Sequence, residues 1–171
     1  MSLPLVFTAI GADRPGLVEL LSSAVAEHGG NWVDAKMSRL AGQFAGIVRV
    51  DVEAGAAGEL VSALEALSEQ GLQVVVARSG DVAEREGEAF TLDVVGHDHA
   101  GIVRDIAAVV ARHGANVETF TSEVVSAPMT GEPMFQAKAA LWLPPSADAD
   151  QLTSDLEGLA ADLMVEISVA R

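Results

Sequence analysis

The stretch Gly11-Ala12-Asp13-Arg14-Pro15-Gly16-Leu17-Val18 recurs 85 residues later as Gly96-His97-Asp98-His99-Ala100-Gly101-Ile102-Val103. The same shift places Val25-Ala26-Glu27-His28-Gly29-Gly30-Asn31 over Val110-Ala111-Arg112-His113-Gly114-Ala115-Asn116. Between positions 11 and 31, nine of 21 aligned pairs are identical. Average composition would give about one or two identities by chance. The chain therefore consists of two copies of one small unit.

Further along, the alignment moves to a shift of 91 residues, which places Phe44 over Phe135. The second copy therefore carries six additional residues, and the turn-rich segment 126–131 is the simplest place for them.

Each copy shows the same succession of patterns. An apolar run (3–10 and 90–95) predicts a first strand. Apolar residues at helical spacing follow a Gly-Asp-rich loop, and Pro15 is expected at the first helical position. His28-Gly29 and His113-Gly114 are expected to end those helices. The remaining predicted elements are strands 31–40, 44–52 and 72–77 with helix 57–69, and, in the second copy, helix 151–163 and a last strand at 165–169.

This order, β-α-β-β-α-β, predicts an α+β protein made of two ferredoxin-like units in tandem. Each unit should have an antiparallel sheet with both helices on one face. We expect the first unit at residues 1–78 and the second at 89–171. The segment between them, 79–88, is too charged to pack and should be a linker.

The charge of the chain excludes several functions. Its 25 acidic and 10 basic side chains give a net charge of −15, which disfavours direct binding to nucleic acid.

The chain has no cysteine, so disulfides and thiolate metal sites are excluded. Without a signal-like start or a long apolar run, we expect a cytoplasmic protein that does not enter a membrane.

Known functions of this fold narrow the choice further. Copper-carrying units need two thiols, and RNA-binding units need aromatic residues and a positive surface. The glycine spacing of the repeated loop resembles a phosphate loop but lacks the following Lys-Ser/Thr. A hydrolase of the acylphosphatase type would use Arg14, but the second copy has His99 at that position. This activity is the weakest alternative, and we expect no enzyme, no metal and no cofactor.

The histidines and tryptophans have structural interpretations. The triplet His97-Asp98-His99 could ligate a metal together with His113, but adjacent side chains on an extended loop diverge. His28 and His113 are expected to stabilise helix ends. Trp32 and Trp142 are expected to pack on the sheets. Asp98 could instead cap the helix that follows it.

The repeated loop and the asparagine after each helix form a different pattern. A helix N-terminus offers free amides to a carboxylate, and Asp13 or Asp98 could take an ammonium group. Asn31 or Asn116 could donate and accept hydrogen bonds nearby. Together these groups suit a free amino acid. The alternative is purely structural, with a capping Asp and a turn Asn.

The pattern Asp13-Arg14-Pro15-Gly16-Leu17-Val18, a helix, then His28-Gly29-Gly30-Asn31-Trp32 resembles the ACT domain, an amino-acid-sensing regulatory module. Two such units without a catalytic domain resemble the glycine cleavage system transcriptional repressor family. The resemblance implies that units pair side by side and hold small ligands at the seam. The residues it marks as ligand-binding are Asp13, Pro15, Gly16 and Asn31 in the first copy and Asp98, Gly101 and Asn116 in the second. Ala100 departs from the usual proline, and ACT sites often carry Asn in place of Asp13 and Asp98.

We therefore expect a regulatory protein that binds a free amino acid and modulates a protein partner, such as a transcription regulator or a metabolic enzyme. Pairing through exposed sheet edges would make a homodimer the expected oligomer. The alternative from another class is an interaction module that binds its partner constitutively and has no working ligand site.

Overall fold

The computed structural model of the chain describes residues 1–78 and 85–171. The chain divides into two compact units, Met1–Ala83 and Glu84–Arg171. Of the predicted linker, 79–84 lie outside the described residues, and Glu88 begins a strand.

The predicted order of elements is confirmed in both units. The first unit contains β1 (Ser2–Ala12), α1 (Leu17–Glu27), β2 (Asn31–Leu40), β3 (Gln43–Glu53), α2 (Ala57–Ala66), a 3-10 turn (Leu67–Gln70) and β4 (Leu72–Arg78). The second contains β5 (Glu88–His97), α3 (Ile102–Arg112), β6 (Asn116–Ser126), β7 (Pro133–Leu143), α4 (Ala149–Leu163) and β8 (Val165–Ala170). The sheets have the orders β2-β3-β1-β4 and β6-β7-β5-β8, and their strands pair antiparallel.

Some predicted boundaries are wrong by a few residues. Pro15 is not the first helical residue, because α1 begins at Leu17 after Gly16. The predicted helix 57–69 becomes a 3-10 turn from Leu67, where the chain tightens before β4. Helix α4 begins two residues earlier than predicted, because Asp148 accepts hydrogen bonds from the amides of Asp150 and Gln151 and caps it.

One face of each sheet packs against the helices. Along β3, alternate residues from Phe44 to Val52 point inward and are buried. Leu21 of α1 and Leu60 of α2 meet them and are fully buried. Each such side chain contributes about 1.5–3 kcal/mol on burial. Trp32 packs edge-on against Phe7 with ring centroids 6.2 Å apart, which confirms its packing role.

The additional residues of the second copy lie in the predicted turn, which spans residues 127–132, one residue later than the predicted segment 126–131. Strand β6 ends at Ser126, and β7 begins at Pro133. The amide of Ala127 donates to the Glu132 carbonyl, which closes a longer turn between the two strands.

The outer faces of the two sheets differ in chemistry. In the first unit Ile10, Ile47 and Val75 are 50%, 54% and 68% exposed. At the matching positions the second unit has Val95, Lys138 and Ser168, and Lys138 pairs with Asp93 at 3.3 Å. The same backbone thus presents a more apolar face in the first copy and a more polar face in the second, where Val95 remains apolar.

Candidate functional site

The repeated loop connects the first strand of each unit to its first helix. Gly16 and Gly101 are the residues that precede α1 and α3, with φ of 90° and 101°. Only glycine adopts this backbone readily, which explains why both copies keep it. The first intrahelical bonds run from Leu20 to Gly16 and from Asp105 to Gly101. The earlier amides of each helix therefore have no intrahelical acceptor.

The two loop carboxylates have different partners. Asp13 accepts a hydrogen bond from Nε of Arg39, at the end of β2, at 2.5 Å. The residue that matches Arg39 in the second copy is Val124, which has no charge. Within the described residues no cation pairs with Asp98. Neither α1 nor α3 has a side-chain cap at its N-terminus. The alternative in which Asp98 caps α3 is therefore wrong, because Gly101 takes the capping position.

The structure does not bring the loop and the asparagine of one unit together. The amide of Asp13 donates to the Gly42 carbonyl, at the hairpin between β2 and β3. Asn31 pairs with Asp51, at the opposite end of β3. From Gln43 to Asp51 the strand spans about 27 Å, at roughly 3.4 Å a residue. Asp13 and Asn31 thus lie at opposite ends of α1 and cannot contact one small ligand.

The second unit repeats this separation. The amide of Asp98 donates to the Pro133 carbonyl at the start of β7, whereas Asn116 pairs with Trp142 near its end. The side-chain amide of Asn116 donates to Glu118 at 2.6 Å. Gly101 is partly buried, and the other predicted ligand residues are exposed in their units, including Pro15 in the turn before Gly16.

The residue after each loop aspartate makes a contact that the sequence did not reveal. The guanidinium of Arg14 donates from Nη2 to the Gln70 carbonyl at 3.0 Å. The imidazole of His99 lies 3.1 Å from the Leu163 carbonyl through Nε2. Gln70 and Leu163 end matching elements before the last strand of each unit. No local signal could have predicted these contacts, since the partners are 56 and 64 residues apart.

The histidines at the helix ends lie where the sequence predicted them. His28 and His113 follow the last residues of α1 and α3. The Nδ1 of His28 is 2.9 Å from the Ala24 carbonyl, to which it donates. His113 instead reaches α4, where its Nε2 is 2.9 Å from Oδ2 of Asp155. This hydrogen bond, followed by one from Gln151, holds the pKa of Asp155 below its ordinary value.

The metal interpretation of the histidine triplet finds no support in the geometry. His99 precedes α3 and His113 follows it, so the helix separates them by about 16 Å at 1.5 Å a residue. Across residues 1–78 and 85–171, no three His, Cys, Asp or Glu side chains converge as metal ligands would. Within the same residues, no helix has the length and apolar character needed to cross a membrane.

A shallow cleft lies on the outer face of the second sheet. Its volume is about 310 Å³, and Asp93, Thr121, Glu123, Gln136 and Lys138 are among its lining residues. None of the predicted ligand residues lines it. A matching cleft of about 480 Å³ on the first sheet has the apolar Ile10, Met37 and Ile47 in its lining.

The ACT domain family model matches residues 4–77. A UPF0237 protein of Methanopyrus kandleri is 39% identical over 74 residues, which are 42% of this chain and 82% of that protein. The chain belongs to the ACT domain family. Both matches are of single-unit length, and the second ACT unit follows from the internal repeat and the shared fold.

Solved structures match both ACT units together. A protein of unknown function from Galdieria sulphuraria has a TM-score of 0.88 and 29% identity, with 99% of this chain and 98% of that one covered. A protein provisionally named a glycine cleavage system transcriptional repressor has a TM-score of 0.74 and 17% identity, with 99% and 97% covered. At that identity the second likeness shows the shared tandem fold alone. The chain is thus a tandem ACT protein.

Proposed function

We propose that this ACT protein is a non-enzymatic sensor that binds a small free amino acid where two ACT units pair, and that binding changes its contact with a protein partner. The observation that carries the proposal is the position of the repeated groups. Each unit has free helix amides and a loop carboxylate at one end of its first helix, and an asparagine at the other end.

A two-fold arrangement of ACT units would join these separated groups. When two such units pair with their first helices antiparallel, the N-terminus of one helix lies beside the C-terminus of the other. The loop of one unit then meets the asparagine of its neighbour. Within one unit the loop and the asparagine are too far apart to share a ligand. In such a pair of units each loop would lie beside the asparagine of the other unit, which gives two sites.

The groups at such a site match the parts of an amino acid. Unpaired amides at the start of α1 or α3 suit the ligand carboxylate. Asn31 or Asn116 supplies both a donor and an acceptor. Asp98 suits the ammonium group, because no cation of the described residues pairs with it. Asp13 is already bound by Arg39, so we expect the loop of the second unit to contribute more to ammonium binding.

Regulation would follow from a shift between arrangements of the units. A ligand held by residues of two units stabilises the paired arrangement by its differential affinity for that state. The surface offered to a partner changes accordingly. With a net charge of −15, control of glycine cleavage genes or of other amino-acid metabolism would act through another protein rather than by contact with DNA.

Paired variants test which groups share a site. We would first identify a binding amino acid by thermal shift and then measure stoichiometry by calorimetry. If the first unit pairs with the second, Asp98→Ala with Asn31→Ala removes one site, and Asp98→Ala with Asn116→Ala impairs both sites. If each unit pairs with its own copy across a dimer, Asp98→Ala with Asn116→Ala removes one site, and Asp98→Ala with Asn31→Ala impairs both. Full binding to both double variants would refute the proposed site.

The apolar outer face of the first unit favours one alternative function. Ile10, Ile47 and Val75 form an exposed surface that a protein partner could cover without any ligand. A constitutive interaction module would hold its partner equally in the presence and absence of every amino acid. Partner capture that changes with an added amino acid would exclude this alternative.

A further inference from the structure

Arg14 and His99 occupy matching positions and reach matching carbonyls. Each residue follows the loop aspartate, at the shift of 85 residues that relates the two copies. Each reaches the last residue before a left-handed position, which is Gly71 with φ of 81° in the first unit and Met164 with φ of 54° in the second. In both copies the side chain ties the loop to the end of the second helical segment.

We call the contacts of Arg14 with the Gln70 carbonyl and of His99 with the Leu163 carbonyl the two tethers. Their side chains differ in whether they can lose their positive charge. Arg14 carries a guanidinium, a group that keeps its positive charge in proteins. His99 faces two carbonyls, with Nε2 at 3.1 Å from that of Leu163 and Nδ1 at 3.2 Å from that of Ala100. A carbonyl only accepts hydrogen bonds, and a neutral imidazole has only one N–H. Only the protonated ring can donate to both carbonyls.

The surroundings of His99 include a helix C-terminus and a carboxylate. The Leu163 carbonyl is at the C-terminus of α4, where the helix dipole attracts positive charge. On α3 the carboxylate of Asp105 is close enough to be influenced by the charge of His99. Arg104, the main partner of Asp105, opposes this attraction, with its Nε 2.7 Å from Oδ1.

We propose that Arg14 and His99 are positioning residues for the ligand loops, and that protonation of His99 tightens the loop of the second unit alone. The proposal rests on the proposed function, since the loops matter as parts of an amino-acid site. Imidazole changes its charge between pH 5 and 8. The loop of residues 98–101 is therefore held by two hydrogen bonds from His99 in the protonated form and by one in the neutral form, whereas the loop of residues 13–16 keeps its tether.

Amide hydrogen exchange of the full chain without ligand tests the tether by itself. Between pH 5.5 and pH 8, after correction for intrinsic exchange, protection of the hydrogen-bonded amides of Asp98 and Asp105, which bracket the second loop, should fall about ten-fold, a factor that corresponds to about 1.4 kcal/mol. The matching amides of Asp13 and Leu20 in the first unit are the internal control and should keep their protection. His99→Arg should abolish the pH dependence in the second loop, and Arg14→His should introduce it in the first.

Calorimetric titration with glycine as the probe then tests the link to binding. The affinity of the site that contains the second loop should fall with rising pH in the natural protein and stay constant in His99→Arg. Failure of glycine to bind would count against the proposed function for this ligand and leave the exchange result standing. Loop protection that does not change with pH, or a pH dependence that persists in His99→Arg, would overturn the tether proposal.

Discussion

At the scale of single residues, the pair His113–Asp155 joins the two helices of the second unit. The hydrogen bond from His113 is the main cause of the lowered pKa of Asp155. A carboxyl whose pKa is lower in the folded state stabilises the fold above its unfolded pKa of about 4. That contribution is lost as the pH falls through the folded value.

Asp155→Asn should therefore reduce stability against urea at neutral pH. The difference from the natural protein should shrink below about pH 4 and vanish once the natural carboxyl is protonated. Glu157→Gln is a matched control on the same helix, at an exposed position, and should have little effect. A difference of the same size at pH 7 and pH 2 would contradict this role of the charge.

Sequence reasoning reached the position of His113 but not its partner. A histidine before glycine at the end of an apolar-periodic helix is a local signal, and it predicted the helix end correctly. Asp155 is 42 residues away, and only packing of α3 against α4 brings it near. The pair Arg39–Asp13 was missed for the same reason, since it depends on the register of the hairpin.

At the scale of elements, the outer face of the first sheet tolerates charge that its inner face cannot. Ile47 and Val48 are neighbours on β3 with opposite orientations, one 54% exposed and the other fully buried. The position matching Ile47 in the second unit carries Lys138. The repeat therefore contains a natural example of the substitution.

We expect Ile47→Lys to change the free energy of unfolding by no more than about 0.5 kcal/mol. Val48→Lys should cost about 3–5 kcal/mol or prevent folding, because it buries an unpaired charge. Urea unfolding of both variants would measure the difference. Equal destabilisation by the two substitutions would mean that the outer face is also covered.

The elements themselves were largely predictable, and the site was not. Alternating apolar residues and helix-end glycines are local signals, so the order of strands and helices followed from the repeat. Asp13 and Asn31 are close in sequence, which led us to expect them near one another. Helix α1 lies between them and carries the chain from one end of the sheet to the other.

At the scale of the whole molecule, duplication is the feature that connects fold and proposed function. Two ACT units in one chain supply two loops and two asparagines. The proposed site needs groups from two units, so a tandem chain or its dimer is the smallest assembly that could complete it. Arg39 is matched by Val124 and Arg14 by His99, so the surroundings of the two loops differ in charge.

The most direct test of the central claim is thermal unfolding of the purified chain against a panel of free amino acids. A ligand at a hundred times its dissociation constant adds about 2.7 kcal/mol, which for a chain of this length corresponds to a rise in Tm of roughly 5–11 °C. We predict such a rise with one or a few small amino acids and its loss in the Asn31→Ala, Asn116→Ala double variant, whose own Tm should be nearly unchanged. No rise with any amino acid would contradict the account and leave the constitutive interaction module in its place.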